Sequence, residues 1–214
     1  MNMFIHFVKS LAKKLSVFWF KLRQRGMLSS GRDCLLAGCK VKAAGGNRGN
    51  KVALGDSVSL RKCEFILNGG GNRVTIADGA KLRGMVFWME GDGNEICIGA
   101  GTSSENHCQI AACGGTRVTI GADCMLSHDI YIRTTDSHPI FDGQGRRTNP
   151  EKDIVIGNHV WLGMQVLVLK GASVPDGCVV GARSVVARSE FEPGSVVAGF
   201  PARQLKSGIV WKRH

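Results

Sequence analysis

From residue 156 the chain reads Ile156-Gly157-Asn158-His159-Val160-Trp161-Leu162-Gly163-Met164-Gln165-Val166-Leu167-Val168 and runs on through Val174 and Val180 to Val186. An aliphatic residue returns at every sixth place: Ile156, Leu162, Val168, Val174, Val180 and Val186. Glycine often follows it, as at Gly157, Gly163 and Gly181, and a small or branched residue stands four places on, at Val160, Val166, Ala172, Cys178 and Ser184. A period of six is neither the 3.6 of an amphipathic helix nor the 2 of an ordinary strand. It fits short strands that each turn a corner, three to a triangular coil. The aliphatic residue then points into the prism, the small one fits the crowded corner, and glycine relieves the turn.

The pattern extends upstream. Ile120, Leu126 and Ile132 keep the step of six, and Leu54, Ile76, Ile98 and Ile120 recur every 22 residues. They lie in matching segments that open at Asn50, Asn72, Asn94 and Thr116. A coil of three hexads has 18 residues, so these coils carry four more, placed in turns such as Gly69-Gly70-Gly71-Asn72 and Gly91-Asp92-Gly93-Asn94. Stacked coils of this kind bury one continuous aliphatic core. Before Leu54 the repeat blurs. Between Ile132 and Ile156 it breaks: residues 137–153 are polar and hold two prolines and two glycines, which predicts a loop ejected from a coil.

The 214 residues suit one domain, and 43% hydrophobic content supports a sizeable core. The net charge of +11 suits anionic partners, either phosphorylated ligands or an anionic membrane; nucleic acid is not expected. Residues 1–32 hold no acid, and Lys9, Lys13, Lys14, Lys21, Arg23 and Arg25 alternate with Phe4, Phe7, Val8, Leu11, Leu15, Phe18, Trp19 and Leu22 at helical spacing. This predicts a basic amphipathic helix within residues 1–28 that caps the first coil, makes a trimer contact or lies on a membrane surface, the last favoured by aromatics opposite lysines. No run of about 20 apolar residues is present, so no spanning helix is expected. The eight cysteines form no CxxC pair, and the N-terminus lacks signal-peptide features, so reduced cysteines in a cytoplasmic protein are expected, with the inner membrane face as an alternative location. The expected organisation is a helix over 1–28, a β-helix over 29–206 and a tail over 207–214.

Thr134-Thr135-Asp136-Ser137-His138-Pro139-Ile140 stands where the last regular hexad meets the ejected loop. A histidine there can act as a general base near neutral pH. Trp161 is too large for the prism interior and is expected to face outward. Near the end, Val197-Ala198-Gly199-Phe200-Pro201-Ala202-Arg203 closes the repeat. With these motifs the chain resembles the hexapeptide-repeat acyltransferases over about residues 33–206, most of all the O-acetyltransferases of capsular and other surface polysaccharides.

The resemblance implies a left-handed parallel β-helix, a homotrimer, acetyl-CoA as co-substrate, a carbohydrate acceptor and no metal. It implies His138 as catalytic base, oriented by Asp136, and an acceptor or acyl pocket bordered by His128 and Trp161. CoA would lie between subunits along Trp161, Gly163, Met164, Ala182, Ala187, Arg188, Gly199, Pro201, Arg203 and Lys206. His107 and His159 read as surface residues. Small-molecule acetyltransferases of the maltose, serine and antibiotic types remain alternatives. A γ-type carbonic anhydrase would need two metal-binding histidines five residues apart, which this sequence lacks, and a purely structural β-helix would gain nothing from the ejected loop.

Overall fold

The computed structural model describes residues 15–17, 26–44, 46–187 and 190–213. They form a left-handed parallel β-helix of stacked triangular coils. The first wall has seven strands, running from Leu28–Ser30 through Lys51–Leu54, Arg73–Ile76, Glu95–Ile98, Arg117–Ile120 and Ile154–Ile156 to Ser173–Val174. The second starts at Leu35–Ala37 and ends in an antiparallel pair, Val196–Gly199 with Ala202–Lys206. The third runs from Lys40–Lys42 to Val185–Val186. The coils before Leu54 that look blurred in sequence are regular, and the first begins at Leu28.

The register follows the repeat. Leu54 pairs with Ile76, Ile76 with Ile98, Ile98 with Ile120, and Ile120 with Ile156. The corner positions Val160, Val166, Ala172, Cys178 and Ser184 are all buried. The predicted filling of Val, Ile and Leu holds for the later coils, while Phe65 and Phe87 stack inside the earlier ones with centroids 4.7 Å apart. Glycine at the corner is steric: a Cβ on Gly121 would lie 2.5 Å from the carbonyl oxygen of Gly157 in the next coil. All eight cysteines are free thiols.

The four extra residues of the longer coils make room for a polar column inside one edge. Asn50, Asn72 and Asn94 are fully buried, one per coil. The Asn50 side-chain oxygen accepts from the Asn72 N–H, and that of Asn72 from the Asn94 N–H, each at 2.9 Å. Asn94 accepts in turn from the Gly115 and Thr116 amides, and the Thr116 hydroxyl donates to Thr134 Oγ1 at 2.7 Å. Each side chain satisfies a buried backbone donor of the next coil, which apolar packing cannot do. The column ends at Thr134, where the ejected loop leaves the prism.

Of the amphipathic helix only residues 15–17 are described. They are helical, with Val17 packed against the core and Ser16 Oγ accepting from the Leu36 N–H. The rest of that expectation lies outside the described residues. Among the described residues no helix is long and apolar enough to cross a membrane.

Candidate active site

The ejected loop is an ordered hairpin. Phe141 bridges Arg147, the Thr148 amide donates to the Ile140 carbonyl, and Asp142 Oδ1 accepts from the amides of Gln144 and Arg146. Asn149 fastens it at its base. The Asn149 Nδ2 donates to Asp136 Oδ2 and to the His138 carbonyl, both at 2.9 Å, while its Oδ1 accepts from the Ile140 amide at 2.5 Å. Lys170, one coil on, donates from Nζ to Asp136 Oδ2 and to the Asn149 carbonyl. Lys170 first and Asn149 second hold the Asp136 carboxyl below its usual range.

This arrangement fixes the backbone of His138 and leaves its exposed side chain directed by the loop. Asp136 is thus engaged by Lys170 and Asn149, and it supports His138 through the main chain; no Asp136–imidazole hydrogen bond occurs among the described contacts. Asn149 and Lys170 were not singled out in the sequence. The available signals were the polar residue before Pro150 and a lysine beside Gly171 in an otherwise apolar stretch.

A second group of expected site residues gathers on the edge between the second and third walls. His128, Gly163, Met164 and Ala182 follow one another there from coil to coil. The Gln165 amide donates to the His128 carbonyl and the Arg183 amide to the Met164 carbonyl. Gly199, Phe200 and Pro201 continue this end of the prism, with Phe200 83% exposed. A Cβ on Gly163 would approach the Ala182 nitrogen to 2.7 Å, so close stacking of the coils demands glycine. Trp161 faces outward on the second wall, as expected, and donates from Nε1 to Ser127 Oγ at 3.2 Å. Arg203 and Lys206 lie exposed on the terminal antiparallel strand.

The structure does not bring every expected residue together. Tyr131–Arg133 separates His128 from His138, so the two sit at opposite ends of a strand in the third wall. Ala187 follows Val185–Val186 and lies on the His138 side of that wall. Arg188 lies outside the described residues. His159 lies at the surface, as expected, and there it is the centre of a clamp. Its Nδ1 lies 2.6 Å from Asp123 Oδ2, its Nε2 lies 3.0 Å from the Trp211 carbonyl, and its ring stacks on Trp211 at 4.0 Å. The Trp211 carbonyl and Asp123 raise the His159 pKa, because both favour a ring with two N–H groups. Arg213 joins Asp123, Ser103 Oγ and the Cys124 carbonyl. The tail is therefore a strap across the second wall, with Trp211 leaning on Trp161 at 6.1 Å. The described residues contain no group of three or more His, Cys, Asp or Glu side chains placed as metal ligands.

No protein-family model matches the sequence. The chain is 39% identical over 98 residues to the polysialic acid O-acetyltransferase of Neisseria meningitidis, a match covering 45% of this chain and 46% of that enzyme. The match thus spans less than half of that relative's length. Among solved structures, the polysialic acid O-acetyltransferase OatWY is similar with a TM-score of 0.69 and 32% identity, over 87% of this chain and 92% of that one. The polysialic-acid-specific acetyltransferase NeuO superposes with a TM-score of 0.63 at 27% identity, over 89% of this chain and 91% of that one.

Proposed function

The chain belongs to the hexapeptide-repeat O-acetyltransferase family that includes OatWY, and from that membership we propose that it moves an acetyl group from acetyl-CoA to a sugar hydroxyl of a surface or capsular polysaccharide. The observation that carries this reading is His138. It stands at the foot of the ejected loop, its main chain tied by Asn149 to the Asp136–Lys170 pair.

His138 takes the proton of the acceptor hydroxyl. The hydroxyl oxygen attacks the thioester carbonyl, and the tetrahedral intermediate collapses to the acetyl ester. The departing CoA thiolate receives the proton from the imidazolium. A donor close to the oxyanion lowers the barrier further. Acetyl-CoA suits the edge formed by Gly163, Met164, Ala182 and Gly199, where exposed Met164 offers apolar contact, with Arg203 and Lys206 toward its phosphates.

In one protomer that edge and His138 are separated by the width of the third wall, about 15–20 Å for the five residues from Ile130 to Thr134 laid across it. A homotrimer resolves this by setting the His138 edge of one protomer against the Gly163–Ala182 edge of the next, and cyclic symmetry repeats the site three times. Residues 1–28 hold this cytoplasmic trimer to the anionic inner face of the membrane.

His138→Ala tests the assignment. Thiol release from acetyl-CoA with polysialic acid and other surface glycans should fall about 10²–10⁴-fold, with the melting temperature unchanged. Turnover near that of the unaltered protein would overturn the role of His138.

A further inference from the structure

We propose that the outer face of the third wall holds a sugar subsite, built on Trp88, Ala111, Tyr131 and Arg133, for the residue next to the one acetylated in an extended glycan. The inference rests on the glycan reading above and adds a place for the acceptor chain. It starts from the register. Trp88 stands opposite Ala111, and Ala111 opposite Arg133, in three successive strands. These side chains point outward because their neighbours Phe87, Ile110 and Ile132 fill the prism. Adjacent strands are about 4.8 Å apart, so the backbones at Trp88 and Arg133 stand about 10 Å apart, and the Ala111 methyl between them is only 3% exposed. The result is a groove of 490 Å³ that also takes in Gln109, Tyr131 and Ser137.

The lining fits a pyranose ring. Trp88 and Tyr131 offer aromatic faces for the C–H face of a sugar, and their polar tips tolerate water at the rim. Arg133 supplies direction. Its Nη2 donates to Ser137 Oγ at 2.6 Å and its guanidinium lies 5.8 Å from the Tyr131 centroid, while its Nε is buried without a hydrogen-bond partner among the described residues. With Nε closed off, the Nη N–H groups of half-buried Arg133 are the donors that a sugar hydroxyl, acetamido or carboxylate oxygen can meet. Glu90 and Glu151 also line the groove, and Glu151 is paired with Arg147. Charge is thus nearly balanced, and the groove selects by stacking and hydrogen bonding more than by net charge. Ser137 precedes His138, so a chain lying in the groove leads into the catalytic loop.

Two variants test this. Ala111→Leu fills the floor of the groove, and Trp88→Ala removes one platform. Each is compared with the unaltered full-length protein for kcat/KM on polysialic acid and on single sialic acid, with thiol release as the readout and light scattering for the oligomer. The polymer-to-monomer ratio should fall about tenfold in both, since one lost contact of this size is worth roughly 10–200-fold. If Ala111→Leu fails to fold, Trp88→Ala decides. A ratio unchanged in a folded, active variant overturns the subsite. So does a change of oligomeric mass with the ratio intact, which would make this face a subunit contact. If the unaltered protein releases no thiol with any glycan, and its tryptophan fluorescence ignores polysialic acid, the functional reading fails and the subsite with it.

Discussion

Asn149→Ala is the most informative single substitution near the candidate base. It removes three hydrogen bonds, to Asp136, to the His138 carbonyl and from the Ile140 amide, while Lys170 keeps its contact with the Asn149 carbonyl. A net value of about 0.5–1.5 kcal/mol per bond gives about 1.5–4.5 kcal/mol, and partial exposure of this loop argues for the lower half, about 2 kcal/mol. At about 1.4 kcal/mol per factor of ten, the ordered loop loses roughly 30-fold of its advantage over open forms. Activity should fall about 10–30-fold. The melting temperature should barely move, because Asn149 touches none of the prism core. Hydrogen exchange offers a readout that needs no substrate: the Ile140 and Thr148 amides, both bonded within the hairpin, should lose protection while the Ile120 and Ile156 amides keep theirs. Full activity together with unchanged exchange at Ile140 would refute the reasoning.

Replacing Arg203 and Lys206 together by alanine should raise the acetyl-CoA KM more than it lowers kcat, because a phosphate contact is made equally in ground and transition states; a pure kcat effect would move them away from the nucleotide. The His159 clamp gives a pH dependence of known sign. Its pKa is raised on folding, so its contribution is complete below about 6.5, the unfolded value, and is lost as the pH rises through the folded value. Trp211 fluorescence should therefore report a loosening strap as pH rises above about 6.5, and a strap that tightens on that side would contradict the clamp. Removing residues 1–14, which spares Ser16 and Val17 on the prism, buried Met27 and the first strand at Leu28, should abolish flotation with anionic liposomes while leaving a soluble, active trimer; an aggregated product would make the segment a cap instead.

The hexads from Ile120 onward made the prism legible because inward and corner positions carry different residue types at fixed spacing. The ejected loop was equally visible, since prolines and glycines cannot continue a hexad there. Asn149 and Lys170 were not, because their partners come from the loop's own fold and from a neighbouring coil. The clamp around surface residue His159 was not legible for a related reason. Its partners Asp123 and Trp211 lie 36 and 52 residues away, and only the returning tail brings them to it. Trp161 was read correctly as outward because the argument needed only the size of an indole and of a corner.

The polar column has a consequence for the length of the molecule. Asn50 gives Asn72 the same contact that Asn72 gives Asn94, so the receiving coil meets identical chemistry at either step. Excising residues 51–72 would bring Asn50 under Asn94, close the walls in unchanged register and leave the ejected loop on its usual foundation at Thr134. Whole coils can therefore be gained or lost at the N-terminal end as modules. The prism behaves there as a ruler that sets how far the N-terminal segment stands from the candidate active site, and evolution can alter that distance in single rungs without touching the chemistry.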